Sequence, residues 1–199
     1  MLLWINGPFG GGKTHTAYEL HRRLPGSVVC DPEEVGFGLH RVIPRELRGD
    51  FQDLPAWRQG VFETLDLVMT RHAGPVIAPM TVVEPAYFED TVGRLREKGH
   101  EVRHFALMAR PETVVRRLRE RALGGLRHES FAVERVDHCL NALASPEFAE
   151  HIHTDELTLR EVADRIATTC GLTLTPNTDG PLRTELRRVL VGIRHIRLF

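Results

Sequence analysis

The residues with the clearest chemical signature lie near the start of the chain. Residues 7–14 read GPFGGGKT, which matches the pattern G-x-x-x-x-G-K-[ST] at every fixed position. An apolar run at residues 2–5 precedes them, and a stretch with helical character at residues 16–24 follows. A strand, a glycine-rich turn and a helix in this order form the context in which the pattern binds phosphate. The alternative, a glycine-rich turn with a chance lysine, requires all of these features to coincide.

The residue types in this loop suit a nucleotide and a magnesium ion. Glycine lacks a Cβ, so the backbone can take positive φ and bring its N–H groups close to an anion at the positive end of the next helix. Lys13 would neutralise the outer phosphates, and the hydroxyl of Thr14 would bind Mg²⁺. We predict that ATP is bound by these residues: Gly7, Pro8, Phe9, Gly10, Gly11, Gly12, Lys13, Thr14 and His15.

Asp31 is the best candidate for a catalytic carboxylate. It directly follows the second predicted strand, so its side chain should face the crevice beside the phosphates. There it could accept a proton from an attacking hydroxyl or hold a magnesium-bound water. It could equally cap the helix that opens at Pro32, and the two roles are compatible.

The third predicted strand ends without an acidic residue, in the sequence VIAPMT at residues 76–81. ATPases that do mechanical work place an aspartate at this point to hold magnesium. Its absence favours a small-molecule kinase. Glu84 follows shortly afterwards and could reach the site, or could simply start a helix with Pro85.

A basic run at residues 116–121 precedes a pair of glycines. Arg117 and Arg121 are four residues apart, so they share one helix face. Arg117 could stack on adenine, and Arg121 with Arg127 could stabilise the transferred phosphoryl group. The run could equally be a solvated basic face. The glycines could be hinges of a lid at about residues 122–130, or a plain turn between helices.

Residues 50–58 combine aromatic and charged side chains between the second and third predicted strands. In a P-loop fold this insertion faces the acceptor of the phosphoryl group. Phe51 and Trp57 could stack on a ring, and Arg58 could hold a polar or anionic group. The alternative is a core aromatic cluster with an arginine whose aliphatic stem is buried.

Composition argues against several other classes of protein. The 199 residues carry a formal net charge of −1, whereas a dedicated nucleic-acid binder usually has a basic excess. Three scattered cysteines fit neither a disulfide framework nor a zinc site. His151 and His153 share one face of a predicted strand, and without further ligands they are more simply structural. We expect no signal peptide and no membrane span, and therefore a cytoplasmic protein.

Apolar runs alternate with helical periods along the chain. The predicted strands are residues 2–6, 27–30, 75–79, 102–108 and 151–154, and the main predicted helices are residues 55–71, 87–98, 111–122 and 159–170. Thr158 and Glu161 form a capping box before the last helix. The alternation predicts an α/β fold of the P-loop NTPase type, resembling nucleotide kinases, with a parallel sheet covered by helices on both faces.

The pattern changes near the C-terminus. We divide the chain into a kinase-like domain at residues 1–172, a linker at residues 173–180 and a helix at residues 181–199. An apolar stripe and a basic face run along that helix. It could dock on the domain, form a homodimer contact, or lie on an anionic membrane at its inner face.

Several stretches resemble the bacterial tunicamycin-resistance family of ATP-binding proteins, and they cover nearly the whole chain in order. They are NGPFGGGKT at residues 6–14, DPE at 31–33, GF at 36–37, DFQ at 50–52, PAWR at 55–58, PMTVV at 79–83, GRLR at 93–96, HFALMA at 104–109, SPEF at 145–148 and HIR at 195–197. Many nucleotide-binding proteins share the loop, so the DFQ and PMT stretches are the specific part.

The resemblance implies ATP binding and a role in resistance to a nucleoside antibiotic. Tunicamycin carries a uracil, amino sugars with free hydroxyls, and a fatty acyl tail. Two activities stay open: transfer of the terminal phosphate to the drug, and ATP-dependent binding that sequesters the drug without chemistry. We expect contacts with such a small-molecule substrate from Phe37, Trp57, Arg58, Thr81 and Glu84, and no nucleic-acid partner.

Truncation before Pro181 tests the role of the C-terminal helix. If the helix is a surface anchor, we expect the truncated protein to lose liposome binding, because both the apolar stripe and the basic face are removed. If it is a subunit contact, size-exclusion chromatography should show a change in oligomeric state. A truncated protein unchanged in both measurements would contradict both roles and leave docking on the domain.

Overall fold

The computed structural model describes residues 1–123 and 133–177, and it describes residues 121–123 only as helical backbone. Five strands form one sheet: β1 (Leu2–Asn6), β2 (Val28–Val29), β3 (Val76–Pro79), β4 (Val102–Met108) and β5 (His151–His153). Their order across the sheet is β2-β3-β1-β4-β5, and every neighbouring pair is parallel. The predicted parallel sheet is confirmed, with β1 at its centre.

Helices connect the strands. They are α1 (Lys13–Arg23), α2 (Pro32–Val42), α3 (Pro55–Arg71), α4 (Pro85–Phe88), α5 (Arg94–Glu97), α6 (Pro111–Leu123), α7 (Val136–Leu143) and α8 (Leu159–Thr169). A π-helical segment, Glu89–Gly93, joins α4 to α5. Short 3-10 turns occur at Arg45–Leu47, Phe51–Asp53 and Pro146–Phe148.

Two predicted elements differ in detail from the structure. The helix predicted at residues 87–98 contains the π-helical segment, where the Thr91 hydroxyl donates to the carbonyls of Tyr87 and Phe88 at 2.9 and 3.2 Å. Such back-bonding competes with the regular backbone ladder. β2 is shorter than predicted, because the Ser27 N–H and hydroxyl both bond back to the Leu24 carbonyl and turn the chain before the strand.

The residues of β1 alternate between two apolar cores. Leu2 and Trp4 belong to the core covered by α3, α6 and α7, whereas Leu3 and Ile5 belong to the core covered by α1 and α8. All four side chains are fully buried. A strand buried on both faces requires a continuous apolar run, which is what the sequence provides at residues 2–5. This double burial fixes the strand that carries the glycine-rich loop.

Hydrogen bonds define the start of α8 and fix the chain that follows it. The capping box before α8 is confirmed: the Glu161 carboxylate accepts from the Thr158 N–H at 2.7 Å, and the Thr158 hydroxyl accepts from the Glu161 N–H at 3.3 Å. Beyond α8, the Thr175 N–H donates to the Arg23 carbonyl at 2.7 Å, and the Arg23 guanidinium donates to the Thr175 carbonyl at 3.1 Å. The chain therefore crosses the end of α1 before residue 178.

Two predicted segments fall largely outside the described residues. The predicted lid at 122–130 is described only where α6 continues to Leu123, and the predicted helix at 181–199 is not described. Among the helices of residues 1–123 and 133–177, none combines the length and apolar character that crossing a bilayer requires.

A buried histidine lies in the larger core. His104, on β4, is 4 % exposed and lies between the rings of Phe88 and Phe148, with centroid distances of 4.8 and 6.2 Å. Its Nδ1 lies 2.9 Å from the Ala149 carbonyl. A carbonyl can only accept, so Nδ1 carries the proton and the neutral ring leaves Nε2 buried as an acceptor. Burial lowers the pKa of His104 from 6.5 to about 4.

The depressed pKa of His104 predicts a loss of stability in acid. The unfolded chain binds a proton here below pH 6.5, and the folded protein resists it until about pH 4. Stability should therefore fall by about 3 kcal/mol as the pH drops through this window. Urea unfolding of wild type and His104→Gln between pH 7 and 4 measures it, and the pH dependence should flatten in the variant. His153→Gln, at an exposed position, is the control, and equal slopes in all three proteins would contradict the prediction.

Candidate nucleotide-binding site

The loop between β1 and α1 has the backbone conformation that its glycines predict. Gly7, Gly10 and Gly12 have φ angles of 152°, 74° and 91°. A Cβ at Gly10 would lie 2.7 Å from the Leu118 side chain, and one at Gly7 would lie 3.0 Å from the Leu107 carbonyl oxygen. The loop therefore needs glycine for its conformation and for its close packing against β4 and α6.

Lys13 is held inside this loop. Its Nζ donates to the Pro8 carbonyl at 2.9 Å, and the Gly11 N–H donates to the same oxygen at 3.0 Å. The lysine is 8 % exposed and its Nζ lies 5.7 Å from the centre of the Phe9 ring. A buried ammonium gains from an anionic partner, so the electrostatics of the loop favour phosphate.

The start of α1 adds backbone donors to the site. The helix begins at Lys13, and its N-cap Gly12 offers no side-chain oxygen to the first turn. First-turn N–H groups have no acceptor within their own helix, so those of Lys13, Thr14 and His15 depend on acceptors from outside it. Thr14 and His15 are partly exposed. The donors and the Thr14 hydroxyl therefore fit a nucleotide with Mg²⁺.

Asn6 is a positioning residue that our sequence analysis assigned no role. It is fully buried at the end of β1. Its Oδ1 accepts from the N–H groups of Gly7 and Val82 at 2.8 and 3.0 Å, and its Nδ2 donates to the Val82 carbonyl at 2.7 Å. One amide thus joins the loop to the segment after β3. The signal was an amide side chain at the end of an otherwise apolar strand.

Thr81 strengthens the same connection. It is 3 % exposed, and its hydroxyl donates to the Gly7 carbonyl at 2.8 Å. We predicted Thr81 as a substrate contact. The structure instead buries it under the loop, because the chain after β3 runs beside the end of β1. Its role is to hold the loop backbone.

Asp31 stands at the carboxyl end of β2, as predicted. It caps α2, with Oδ1 accepting from the Glu33 N–H at 3.0 Å. β3 lies between β2 and β1, so the ends of β2 and β1 are about 10 Å apart at the usual strand spacing. That gap is suited to an acceptor group placed between Asp31 and the terminal phosphate.

Arg117 lies on α6 and reaches the end of β5. Its guanidinium donates to the hydroxyl and carbonyl oxygens of Thr154 at 3.1 and 2.8 Å. Leu118, the next residue, touches the loop at Gly10, so Arg117 lies at the nucleotide side of the sheet. The side chain of Arg121 and residue Arg127 lie outside the described residues.

The predicted aromatic contacts form a cluster of their own. Trp57 is fully buried, and its indole N–H donates to the Pro32 carbonyl at 3.0 Å. Phe51 packs on Gly36 and lies 5.5 Å from Trp57 and 6.0 Å from Phe37, between ring centroids. We predicted that Trp57 stacks on a substrate, and the structure buries its ring completely. Phe37 is partly exposed and stays a candidate contact.

Arg58 packs beside this aromatic cluster. We call Phe37, Phe51, Trp57 and Arg58 together the acceptor wall. Its guanidinium donates to Asp90 at 2.8 Å and to the Gln52 carbonyl at 2.6 Å, and lies 4.4 Å from the centre of the Tyr87 ring. These contacts engage the guanidinium group that we predicted to bind the substrate. Glu84 is exposed just before α4.

Further contacts join the acceptor wall to neighbouring elements. Tyr87 donates to Asp53 at 2.9 Å, and Arg135, just before α7, lies 3.4 Å from Asp50. Burial raises the pKa of the Cys139 thiol on α7, and the charges of Lys13 and Arg135 oppose this rise. Within the described part of the chain, no three His, Cys, Asp or Glu side chains group as a metal site.

Comparisons with known proteins agree with this geometry. A family model described as an AAA domain matches residues 2–146. The structure of the tunicamycin resistance protein of Deinococcus radiodurans is 38 % identical, with a TM-score of 0.75, and the match covers 88 % of this chain and 99 % of that one. The chain belongs to the tunicamycin-resistance protein family. No curated protein sequence matches it.

More distant structures share the fold alone. Shikimate kinase from Bacteroides thetaiotaomicron has a TM-score of 0.60 at 17 % identity, covering 86 % of this chain and 99 % of that one. The APS kinase of Mycobacterium tuberculosis, in complex with AMPPNP and APS, has a TM-score of 0.55 at 13 % identity, covering 85 % and 96 %. This chain therefore has a P-loop fold of the kind found in small-molecule kinases.

The pair Thr81→Val and Thr81→Ser tests how the loop is held. Valine keeps the shape but leaves the Gly7 carbonyl without its donor, so we expect a loss of about 1–2 kcal/mol in stability and weaker ATP binding. Serine keeps the hydroxyl and should stay close to wild type. Urea unfolding and calorimetry with Mg-ATP measure both effects. Equal ATP affinity in wild type and Thr81→Val would contradict the positioning role.

Proposed function

We propose that this protein is an ATP- and Mg²⁺-dependent phosphotransferase that acts on a hydroxyl of a nucleoside antibiotic such as tunicamycin or of a similar small molecule. The observation that carries the proposal is the pairing of a complete phosphate loop with a carboxylate, Asp31, at the end of the strand two positions away. This arrangement supplies a site for the donor phosphates and a base for the acceptor hydroxyl.

The chain's own residues divide the work. Lys13 and the first-turn N–H groups of α1 bind and orient the phosphates, and Arg117 lies where it can contact the base of the nucleotide. One carboxylate oxygen of Asp31 accepts the hydrogen bond that caps α2. A carboxylate has about four lone-pair sites, so it can also accept the proton of an acceptor hydroxyl. We assign to Arg121 the role of stabilising the negative charge on the transferred phosphoryl group.

The bound nucleotide supplies the group that moves. The bond between its γ-phosphorus and the β–γ bridging oxygen breaks as a bond to the acceptor oxygen forms. The Thr14 hydroxyl would hold Mg²⁺, which would supply neutralisation of charge on the phosphates. Asp31 takes the hydroxyl proton, and ADP leaves. The acceptor lies between Asp31 and the acceptor wall, with Phe37 and Glu84 as candidate contacts.

The small number of protein ligands for Mg²⁺ supports a second candidate function. This function is ATP-dependent capture of the antibiotic without chemistry. β3 ends in Pro79, and the next polar residue, Thr81, uses its hydroxyl to hold Gly7. Among the described residues around the loop, protein ligation of Mg²⁺ would therefore rest on Thr14, with Asp31 acting through water. With few protein ligands, the metal would be held mainly by the nucleotide and water, which is compatible with nucleotide binding that is not followed by transfer.

Incubation with γ-labelled ATP, Mg²⁺ and tunicamycin separates the two functions. We expect label on the drug with wild type and a loss of at least about 100-fold in rate with Asp31→Asn, which removes the base. Asparagine caps helices about as well as aspartate, so α2 should stay intact. Glu46→Gln, at an exposed carboxylate on a 3-10 turn, is the matched control.

The other outcomes each assign a different function. Drug binding that requires ATP but yields no labelled product would support capture. Turnover of ordinary nucleosides, nucleotides or sugars would indicate a kinase of central metabolism. Calorimetry with Lys13→Ala should show a loss of roughly 10- to 100-fold in ATP affinity, and unchanged affinity would contradict the whole nucleotide assignment.

A further inference from the structure

Thr154 is a buried hydroxyl residue that directly follows β5. It is 3 % exposed. Its N–H and its hydroxyl both donate to the carbonyl of Met108, the last residue of β4, at 2.8 and 3.1 Å. These two bonds to the end of the neighbouring strand hold the backbone and the side chain of Thr154 in one place.

Arg117 on α6 takes its orientation from this residue. Its Nη1 donates to the Thr154 hydroxyl at 3.1 Å, and its Nη2 donates to the Thr154 carbonyl at 2.8 Å. The guanidinium is planar and its N–H groups point within that plane, so bonds to two fixed oxygens set the direction of the plane. The protein itself therefore orders a side chain that would otherwise be flexible.

The residue after Thr154 fixes the start of the same helix. The Asp155 carboxylate accepts from the Arg110 N–H at 3.1 and 3.2 Å, and the Arg110 Nε also donates to it at 3.3 Å. α6 begins at the next residue, Pro111. The chain after β5 thus holds α6 at two points, at its start through Asp155 and about two turns later through Thr154.

The two elements joined in this way both touch the glycine-rich loop. The Leu118 side chain of α6 lies 2.7 Å from the position of a Cβ at Gly10, and the side chain of Leu159, the first residue of α8, lies 3.6 Å from that of a Cβ at Gly12. Arg117 is partly exposed. The contact between Arg117 and Thr154 therefore adjoins the loop to which we assign the phosphates.

We propose that Thr154 is a positioning residue for recognition of the nucleotide base. It holds the Arg117 guanidinium in the orientation that stacks on the base, and Asp155 keeps α6 in place for that contact. A planar cation stacks favourably on an aromatic ring. The contact should therefore contribute to the affinity for a nucleoside triphosphate and not to that for inorganic tripolyphosphate. The inference rests on the ATP binding of the proposed function, and it holds with or without phosphate transfer.

Calorimetry of the full-length protein with Mg-ATP and, separately, with Mg-tripolyphosphate tests this role. Thr154→Val keeps the charge of Arg117 but removes the hydroxyl that orients it, so we expect ATP affinity to fall roughly 3- to 10-fold and tripolyphosphate affinity to stay the same. Thr154→Ser keeps the hydroxyl and should restore ATP affinity. Thr168→Val, the same substitution at an exposed threonine near the far end of α8, should change neither affinity.

Arg117→Lys is an independent test that leaves Thr154 in place. Lysine keeps the positive charge but has no planar group, so ATP affinity should fall by at least as much, with tripolyphosphate affinity again unchanged. Because Thr154 acts through Arg117, adding Thr154→Val to Arg117→Lys should cause no further loss. Two independent contributions would instead multiply. If Thr154→Val fails to fold in urea-unfolding measurements, the comparison of wild type with Arg117→Lys decides.

The possible failures of this inference differ from those of the proposed function. Equal affinity of the wild type for ATP and tripolyphosphate, or equal losses for both ligands in Thr154→Val and Arg117→Lys, would overturn the positioning role while leaving phosphate binding by the loop in place. A further loss of ATP affinity in the double variant would show that Thr154 acts independently of Arg117. A wild-type protein that binds neither ligand would contradict the nucleotide assignment itself.

Discussion

The interaction on which the site depends is the set of hydrogen bonds made by the buried amide of Asn6. It accepts from Gly7 and Val82 and donates to Val82, all within 3.0 Å and out of contact with water. In such surroundings, losing one partner costs more than the bond itself contributes, because the remaining groups stay buried and unpaired. The protein's own hydrogen bonds therefore hold the loop backbone in one conformation, which lowers the entropic cost of ordering it around an anion.

Support for the loop passes through successive elements. Burial of Leu2–Asn6 between two cores fixes the strand, Asn6 fixes the start of the loop, and Thr81 fixes the Gly7 carbonyl from below. Lys13 then bonds to the Pro8 carbonyl, so its ammonium is kept inside the loop. A cation confined in this way has lost much of its hydration, so an anionic partner beside it would be favourable.

Local features were predictable from the sequence, and cross-chain contacts were not. The glycine-rich loop, the capping box at Thr158 and the helix boundary at Asp31 each follow from the preferences of a few adjacent residues, and all three are confirmed. The buried positions of Trp57 and Thr81 involve a bond from Trp57 to Pro32 and a bond from Thr81 to Gly7, 74 residues away. No periodicity or spacing encodes such pairs. The assignments of Arg121 and of residues 181–199 stay predictions.

The two halves of the cleft are held together differently, and this difference bears on function. The nucleotide side uses buried hydrogen bonds that cannot shift without exposing polar backbone. The acceptor wall uses partly exposed contacts, such as Arg58 with Asp90 and Arg135 with Asp50, and contacts of this kind contribute little to stability. Its geometry can therefore change without unfolding the protein.

This difference between the two sides agrees with the structural comparisons, in which distant structures share the fold around the loop. Kinases at 13–17 % identity retain the fold that builds the loop, although one is a shikimate kinase and the other an APS kinase. α2 links the two sides here: its N-cap is Asp31, and its Phe37 packs against Phe51 of the acceptor wall. A shift of this one helix would therefore move the carboxylate and the aromatic contact together.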